Sequence, residues 1–371
     1  MRIPLCPYFG KCGGCAAQHI EYEDQLLNKK QALASVIGSE DIQVFSDREY
    51  FYRNRMDMAF HPEGIGFRKK GDWKVIVPVE RCAISNERLN ELVAEITIFF
   101  KKPIDAFYAV KRIGTFCYAV IRTPAENSSI AFVLNKDSTH VDEALLQIKA
   151  FAAKTSADTV LVVYINSKSG FSISDDYFVV KGEDQLKITY LGTPFVFSVQ
   201  GFFQNNDVMA EKMHQYVHDL LKTYDTSSGH LLDLYGGVGT FGILNASLFK
   251  SVTTVESFEG CVEAARKNIT LNEVPNIEAI LLDAKNLKKL TFPKPLFVLT
   301  DPPRSGMHPK TIQHLQELRP KVIVYVSCNV DQLGRDLPKF KNYYLKSAAL
   351  FDLFPQTNHM ESVIELRIKN Q

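Results

Sequence analysis

The sequence predicts an α/β protein in which a C-terminal doubly wound sheet follows a smaller α+β region and an N-terminal cysteine loop. From about residue 191 onward, short apolar strands alternate with amphipathic helical stretches, which is typical of a parallel sheet covered by helices. From about 46 to 190, alternating β-rich stretches surround at least one helix, residues 142–154. Before them, residues 1–18 are rich in cysteine and glycine.

Composition limits the classes of protein that this chain can represent. It has 371 residues, 46% hydrophobic and 23% charged, as is ordinary for a soluble globular protein of two or three domains. Its net charge of +1 gives no overall sign of a nucleic-acid partner, so any basic surface must be local. No apolar run approaches the roughly 20 residues that span a membrane, and the N-terminus lacks the apolar core of a signal peptide. We expect a cytoplasmic monomer without membrane contact.

The predicted elements define three regions of the chain. An amphipathic helix is predicted over 20–37, where Gly38 supplies a stop, and a second over 207–222. Strands are predicted at 230–235, 252–256, 296–300, 322–327 and 361–368. We therefore predict a cysteine loop with a helix at 1–45, a central α+β domain at 46–190, and a doubly wound domain at 191–371.

A glycine-rich loop follows the first C-terminal strand. Residues 237–242 match G-x-G-x-x-G, a loop that dinucleotide-binding and S-adenosylmethionine-binding folds share. Glu256, at the end of the next strand, can accept hydrogen bonds from ribose hydroxyls. Asp233, just before the glycines, suits a cationic sulfonium cofactor better than a pyrophosphate. Asp283 ends a later apolar run and is a candidate adenine or loop contact.

Three later strand ends carry polar side chains that are candidates for chemistry. Cys328 directly follows the apolar strand at 322–327, and a thiolate at this edge can add to an electrophilic carbon. Asp301 ends another strand, and the prolines at 302 and 303 stiffen the loop after it. Glu361 begins the last strand and could act as a general base in a dry site.

Four further cysteines indicate a metal site. Cys6, Cys12 and Cys15 have the spacing C-x5-C-x2-C, and Cys82 is remote. Four thiolates fit a [4Fe–4S] cluster or a structural zinc, and the grouping of three with one remote favours iron–sulfur. Basic and aromatic residues surround this region and are candidates for contacts with phosphates and bases. They are Arg53, Arg55, Arg68, Lys69, Lys70, Lys74 and Arg81, with Tyr50, Phe51, Tyr52, Phe67 and Trp73 interleaved.

At this point the chain resembles the RNA uracil carbon-5 methyltransferases, which make 5-methyluridine in 23S ribosomal RNA and in the T-loop of tRNA. The resemblance runs along nearly the whole chain. Its motifs, in the family's order, are CPYFGKCGGCAAQH, FYRNRMDMAF, GFRKKGDW, QGFFQNN, DLYGGVGTFG, DPPRSG, YVSCN and FPQTNHMESV.

The resemblance implies roles for the residues above. Cys328 would be the nucleophile and Glu361 the base, in a Rossmann-like S-adenosylmethionine domain. The helix at 20–37 would pack against that domain. The ligands of a [4Fe–4S] cluster would be Cys6, Cys12, Cys15 and Cys82. The S-adenosylmethionine site would contain Gln204, Tyr235, Glu256 and Asp301, together with Gly237, Thr240 and Asp283 from the loops around it.

The substrate expected from the resemblance is RNA, with 23S ribosomal RNA first and the tRNA T-loop uridine as the alternative. No N-terminal TRAM domain precedes Cys6, and in this respect the chain resembles the shorter enzymes that act on ribosomal RNA. For this reason we place 23S ribosomal RNA first. In the family the cofactor loop usually reads D-L-Y/F-C-G, and here Gly236 takes the cysteine position. Because that side chain has no role in the expected chemistry, we expect little effect.

Three other functions are open to the same motifs. The glycine-rich loop permits an NAD-type oxidoreductase, which would leave Cys328 and the N-terminal cysteines unexplained. A non-catalytic iron–sulfur RNA-binding protein is a second reading, against which the intact Cys328 and Glu361 weigh. An amine methyltransferase is a third, but such sites place an aromatic residue after the double proline, where this chain has Arg304.

Overall fold

A computed structural model describes residues 2–369 of the chain. Within those residues the α-helices are, in chain order, α1 (Tyr22–Ile37), α2 (Glu87–Phe99), α3 (Val141–Ala152), α4 (Asp207–Lys222), α5 (Thr240–Asn245), α6 (Glu259–Leu271), α7 (Pro309–Leu318) and α8 (Val330–Asp336). The predicted helices at 20–37 and 207–222 are confirmed as α1 and α4. Gly38 takes a left-handed conformation with φ of 69°, so the predicted stop is confirmed as well. None of these helices combines the length and the apolar character that crossing a membrane requires.

The strands of residues 2–369 form two large sheets and one hairpin. They are β1 (Gln43–Phe45), β2 (Arg55–His61), β3 (Gly64–Lys69), β4 (Asp72–Pro78), β5 (Phe116–Arg122), β6 (Ser129–Asn135), β7 (Thr159–Ile165), β8 (Tyr177–Lys181), β9 (Leu186–Tyr190), β10 (Thr193–Phe197), β11 (His230–Leu234), β12 (Ser251–Glu256), β13 (Ile277–Leu281), β14 (Leu296–Thr300), β15 (Val322–Ser327), β16 (Tyr343–Phe351) and β17 (Glu361–Ile368). The five predicted C-terminal strands are confirmed as β11, β12, β14, β15 and β17.

The C-terminal sheet is doubly wound, as predicted. Its strand order is β13-β12-β11-β14-β15-β17-β16-β1. The first five of these strands are parallel neighbours and follow the 3-2-1-4-5 order of doubly wound folds. The next strand, β17, runs antiparallel to both of its neighbours, β15 and β16. This insertion departs from the 3-2-1-4-5-6 order of the dinucleotide-binding fold and counts against the NAD-type reading.

Three strands of this sheet were not predicted as strands. β1 has only three residues and joins the sheet by pairing with β16, far along the chain. β16 contains an irregularity between Leu345 and Ser347, which breaks the simple alternation of buried and exposed side chains. β13 is an edge strand whose side chains are mostly only partly buried. Each of the three therefore carries a weak periodic signal.

The central sheet has the order β4-β3-β2-β5-β6-β7-β8, and α2 and α3 cover one of its faces. Its other face shares one hydrophobic cluster with the hairpin β9–β10 and with the C-terminal sheet. The hairpin spans the predicted boundary at residue 190 and packs on α6, where Asn268 donates to the Val196 carbonyl at 3.0 Å and accepts from the Val196 N–H. The division into three domains stays a prediction.

Helix α1 is attached to the segment between β16 and β17 by a buried ion pair. Lys29 Nζ lies 2.6 Å from Asp352 Oδ1, and both side chains are nearly inaccessible to water. The Tyr22 hydroxyl donates to the other oxygen of Asp352 at 2.9 Å. Removing one partner of such a buried pair costs about 3–5 kcal/mol, because the remaining charge stays buried. This contact fixes α1 beside the segment that leads into Glu361.

Candidate active site

Strand register places Cys328 beside Glu361. Strands β15 and β17 are antiparallel, and Ser327 pairs with Ser362. Cys328 follows Ser327 and Glu361 precedes Ser362, so both lie at the same end of this strand pair, close enough for the Glu361 carboxyl to act on the Cys328 thiol. Glu361 is only 4% exposed, so it is a buried side chain and not a solvated strand end.

Burial and mutual repulsion keep protons on the acidic groups of this site. Burial, with the nearby Glu361 and Asp301 carboxyls, raises the pKa of the Cys328 thiol to about 12. Burial is also the main cause that raises the pKa of Glu361 well above its ordinary value, and Asp301 adds to it. Burial raises the pKa of Asp301 to about 7. Arg304 opposes the shifts of Cys328 and Glu361, because a nearby cation stabilises their charged forms.

The loops after β14 and β15 and the loop before β17 are hydrogen-bonded to one another. Asn329 Nδ2 donates to the Arg304 carbonyl at 2.8 Å. The Arg304 guanidinium lies 3.0 Å from His359 Nδ1 and donates to it when that nitrogen is unprotonated. Sequence reasoning did not single out Asn329 or His359, although both lie within the quoted motifs. These contacts hold Asp301, Cys328 and Glu361 in one place.

Gln356 connects the cysteine loop to the segment before Glu361. Its carbonyl accepts hydrogen bonds from the N–H groups of Ala16 and Ala17 at 2.9 and 3.1 Å. Its N–H and its side-chain oxygen both bond to the side chain of Gln25, at 3.1 Å each. Gln356 is fully buried and has a left-handed backbone with φ of 66°, a conformation that these partners hold in place.

The glycine-rich loop turns sharply between β11 and α5. Tyr235, Gly237 and Gly239 have φ values of 60°, 55° and 85°, and Thr240 begins α5. The Gly237 N–H donates to Glu256 Oε2 at 3.2 Å, while Glu256 Oε1 accepts from the backbone of Ser257 and Phe258. Since each carboxylate oxygen has two lone pairs, Oε2 can accept a further hydrogen bond. The loop thus presents a glycine-lined surface beside an acidic strand end.

Asp233, which its sequence position related to a cationic cofactor, is buried beneath the glycine-rich loop. Asp233 is 1% exposed and lies beneath the loop, where its Oδ2 accepts from the Gly242 N–H at 3.1 Å and from the Thr254 hydroxyl at 3.3 Å. It therefore anchors the loop. Asp301 and Glu361 lie instead near the Cys328 thiol, and Arg304 is a nearby cation that acts on both Cys328 and Glu361.

Gly236 is required by the space around it, while the expectation that glycine in place of the family's cysteine has little effect on the chemistry stays a prediction. A Cβ atom at Gly236 would lie 2.2 Å from Thr254 Cγ2 and 2.9 Å from Asp233 Oδ2. We expect Gly236→Cys to lower the free energy of unfolding by about 1–3 kcal/mol through overpacking. Urea unfolding of this variant, of Thr254→Ser and of the double variant measures the effect. The double variant should recover part of the loss, and simple additivity of the two single changes would contradict the steric explanation.

The remaining predicted cofactor residues lie at the same edge of the sheet. Asp283 caps a short 3-10 helix through the Lys285 N–H at 3.0 Å, and the Lys285 ammonium helps lower its pKa. Burial raises the pKa of the Tyr235 hydroxyl, and the nearby Asp283 carboxylate adds to this shift. Gln204 lines a cavity that also contains Cys328 and Glu361, and its carbonyl accepts a hydrogen bond from Asn54 Nδ2 at 3.3 Å.

One cavity of about 580 Å³ brings the predicted nucleophile, base and metal cysteines together. Its wall contains Cys6, Cys12, Cys15, Cys82, Gln204, Cys328 and Glu361. Tyr235, Gly237, Thr240, Glu256 and Asp283 lie outside that wall, at the ends of β11, β12 and β13. Sequence reasoning missed Phe202, an aromatic residue of the cavity wall that is 66% exposed. Its position in the quoted motif QGFFQNN, two residues before Gln204, was a signal that could have identified it.

The four predicted metal cysteines line one cavity but do not converge on a single point. A zinc ion needs all of its sulfur ligands within about 2.3 Å of one point. Among residues 2–369, no three histidine, cysteine or carboxylate side chains converge in that way. The four thiols nevertheless line one space, and the charges of Cys6, Cys12 and Cys82 each act on Cys15. A cluster with four irons can take one thiolate at each iron, so its ligands surround a volume instead of a point.

Comparisons with known proteins agree with this geometry. The model of the tRNA (uracil-5-)-methyltransferase family matches residues 21–294 and 287–369. A tRNA (uracil(54)-C(5))-methyltransferase of Pyrococcus horikoshii is 33% identical over 372 residues, covering 97% of this chain and 85% of the relative. An RNA methyltransferase of Caldanaerobacter subterraneus, itself uncharacterized, is 32% identical and covers 96% of this chain and 83% of its own length.

A solved structure extends the similarity to three dimensions. The crystal structure of Pyrococcus abyssi tRNA (uracil-54, C5)-methyltransferase in complex with S-adenosyl-L-homocysteine superposes with a TM-score of 0.80 at 28% identity. The match covers 96% of this chain and 86% of that one. The chain therefore belongs to the tRNA (uracil-5-)-methyltransferase family and is, as a member, an RNA uracil-C5 methyltransferase.

Proposed function

We propose that this chain methylates carbon-5 of one RNA uridine, with Cys328 as nucleophile and Glu361 as general base. The observation that carries the proposal is that Cys328 and Glu361 line one cavity, together with Arg304 and Phe202. The pairing of Ser327 with Ser362 brings the two residues to the same end of β15 and β17. A nucleophile and a base in one cavity suit a reaction that forms and then breaks a covalent bond to the substrate.

The reaction begins with the thiolate of Cys328 adding to carbon-6 of the uracil. A carbon–sulfur bond forms, and the electrons of the carbon-5–carbon-6 double bond move toward the carbon-4 carbonyl as an enolate. Carbon-5 thereby becomes nucleophilic. S-adenosylmethionine, when bound, supplies an electrophilic methyl group on a cationic sulfur. Carbon-5 receives that methyl group, and the methyl–sulfur bond of the cofactor breaks. Glu361 then accepts the proton of carbon-5. Elimination breaks the bond between carbon-6 and the Cys328 sulfur and restores the thiolate.

Residues of the chain prepare each of these steps. Gln204, Tyr235, Gly237, Thr240, Glu256, Asp283 and Asp301 would hold S-adenosylmethionine at the ends of the parallel strands. In its deprotonated form, Asp301 would favour the cationic sulfur there, because opposite charges stabilise each other in a buried site. The uracil must leave its base stack to reach Cys328, so the substrate is an unpaired loop nucleotide. The exposed ring of Phe202 offers that nucleotide a stacking surface in the cavity.

The cysteines Cys6, Cys12, Cys15 and Cys82 would hold a [4Fe–4S] cluster in the same protein. When bound, the cluster would cross-link the cysteine loop to the central domain through Cys82. The chemistry above needs no electron transfer, so we assign the cluster a structural and RNA-positioning role. Iron and sulfide contents of anaerobically purified protein test this assignment, and a preparation that is fully active without iron contradicts it.

The electrostatics of the site predict a pH dependence. Cys328 and Glu361 must both be deprotonated, and the pKa of each is raised, so turnover should increase with pH. Since Arg304 lowers both pKa values, Arg304→Gln should move the rising limb to higher pH, while Arg304→Lys should keep it in place. Single-turnover rates at saturating RNA measure the shift. A limb that stays fixed, or that moves to lower pH, contradicts this account of the site.

Two RNAs are candidates for the substrate, and they differ in the uridine that would be methylated. From the sequence we expect 23S ribosomal RNA first, while the similar proteins with a named target act on uridine 54 of tRNA. Unmodified transcripts of both RNAs, tritiated at uracil carbon-5, are incubated with the protein with and without S-adenosylmethionine. Release of tritium to water that depends on the cofactor supports carbon-5 chemistry, and the transcript that releases it identifies the RNA. No release from either transcript, by protein that binds the cofactor, contradicts the proposal.

A further inference from the structure

An exposed tryptophan lies on the outer hairpin of the central sheet. Trp73 is in β4, the edge strand next to β3, and is 56% exposed. The Arg68 guanidinium lies over its ring, 5.7 Å from the ring centroid. Arg68 also donates to the Trp73 carbonyl at 2.5 Å and to the Tyr118 hydroxyl at 3.1 Å. Because these two hydrogen bonds fix the Arg68 guanidinium, the Trp73 ring has a defined partner before any ligand binds.

The hairpin is anchored to the cysteine loop, which makes it a fixed extension of the cavity wall. The Gly13 N–H donates to the Arg68 carbonyl at 2.9 Å, and the Lys70 N–H donates to the Lys11 carbonyl at 2.8 Å. Phe67, the residue before Arg68, lines the same cavity as Cys328. The hairpin that carries Trp73 thus contributes one residue, Phe67, to the cavity that holds Cys328.

Positive charge concentrates around this ring. Five exposed cations belong to the hairpin and to the loop beside it: Lys11, Arg68, Lys69, Lys70 and Lys74. Within residues 2–369, none of the five lies in an ion pair. The hairpin's own acid, Asp72, accepts from the Lys74 N–H at 3.1 Å. In a chain whose net charge is only +1, this is a local cationic surface of the kind that binds phosphates.

We propose that Trp73, together with Arg68, stacks on an unpaired base of the RNA outside the catalytic cavity, while the surrounding lysines contact its phosphates. This inference rests on the proposed function, since it assigns a second contact to the same substrate. A single exposed aromatic side chain is ordinary on protein surfaces. A ring paired with a guanidinium and surrounded by unpaired cations has the composition of single-stranded nucleic-acid sites.

The chain offers a direct readout, because Trp73 is its only tryptophan. The intrinsic fluorescence of the full-length protein is titrated with a mixed-sequence RNA of about 12 nucleotides, a length within the range of single-strand sites. The same RNA as a duplex and a sugar–phosphate strand without bases serve as comparisons. Quenching by the single strand that greatly exceeds quenching by both comparisons supports stacking on Trp73. Equal quenching by all three would reduce the surface to an electrostatic one and overturn the inference.

Variants separate stacking from charge. By anisotropy of the labelled RNA, Trp73→Ala should weaken binding about 5- to 150-fold, and Trp73→Phe should lose less because it keeps a ring. Lys70→Ala should mainly lower the salt dependence, by about one in the log–log slope. Tyr344→Ala is the matched control, since it removes a ring that is 41% exposed near the start of β16. It should leave RNA affinity unchanged.

The outcomes also separate this inference from the proposed function. If the native protein releases tritium but Trp73→Ala binds RNA as tightly as the native protein does, the stacking site is wrong and the methyltransferase activity stands. If the native protein binds RNA with the Trp73 signal but releases no tritium from either transcript, the stacking site stands and the proposed chemistry is wrong.

Discussion

Replacing Cys328 with alanine should abolish methylation. Without the thiolate, carbon-5 of uracil is not activated, and the remaining side chains of the site only position the substrate. Removal of a covalent nucleophile lowers turnover by about 10⁴-fold or more in well-studied enzymes. The measurement is cofactor-dependent tritium release from the RNA that the native protein methylates. Retained turnover would exclude covalent catalysis by Cys328.

Two controls show that a loss in Cys328→Ala concerns chemistry and not folding. Calorimetry should find that this variant still binds S-adenosylmethionine, because Cys328 is not among the proposed cofactor contacts. Cys117→Ala removes another thiol, one that is buried in the central sheet, and should keep native turnover. Cys328→Ser should be as inactive as the alanine variant, because a hydroxyl is a much weaker nucleophile than a thiol near neutral pH.

Replacing Glu361 with glutamine should stop the reaction after the covalent bond has formed. Glutamine has nearly the same shape but cannot accept the carbon-5 proton, so elimination of Cys328 is blocked. We expect turnover to fall about 10²- to 10⁴-fold and a protein–RNA adduct that survives denaturing electrophoresis to accumulate. The adduct should require both S-adenosylmethionine and Cys328. Rapid turnover without an adduct would remove Glu361 from the role of base.

The folded state of Glu361→Gln can be checked independently through its stability. Because the pKa of Glu361 is raised in the folded protein, the unfolded chain loses this proton at a lower pH than the folded chain does. The native protein therefore loses stability as the pH rises above the ordinary carboxyl value of 4.5. Glutamine has no such proton, so the variant should be at least as stable at neutral pH.

Glu365→Gln is the matched control for activity. It changes another carboxylate on the same strand and should keep turnover and form no adduct.

Local pattern was sufficient for most of the fold. Strand–helix alternation predicted the doubly wound sheet, and the apolar spacing with Gly38 predicted α1, because these signals depend on neighbouring residues. Where the pattern was short or irregular, prediction failed. β1 has three residues, and β16 carries an irregularity in its pairing, so neither repeats long enough to be read as a strand.

The sequence predicted individual residues of the site but not their full arrangement. Parallel strands present their carboxyl ends at one edge, so Asp301 and Cys328 were expected together from the sequence. The orientation of Asp233 was not accessible in the same way, because the residue before a glycine loop can point toward the ligand or beneath the loop. The packing of Thr254 and Gly242 against its carboxylate decided that Asp233 lies beneath it.

By itself, the sequence determined which side chains end the strands, where the glycine-rich loop falls and how the N-terminal cysteines are spaced. Only the tertiary structure decided that Cys328 lies beside Glu361, because that neighbourhood comes from the antiparallel insertion of β17 between β15 and β16. It also decided that Gln356 joins the cysteine loop to the segment before Glu361. Both contacts connect distant parts of the chain, and local periodicity carries no information about such pairings.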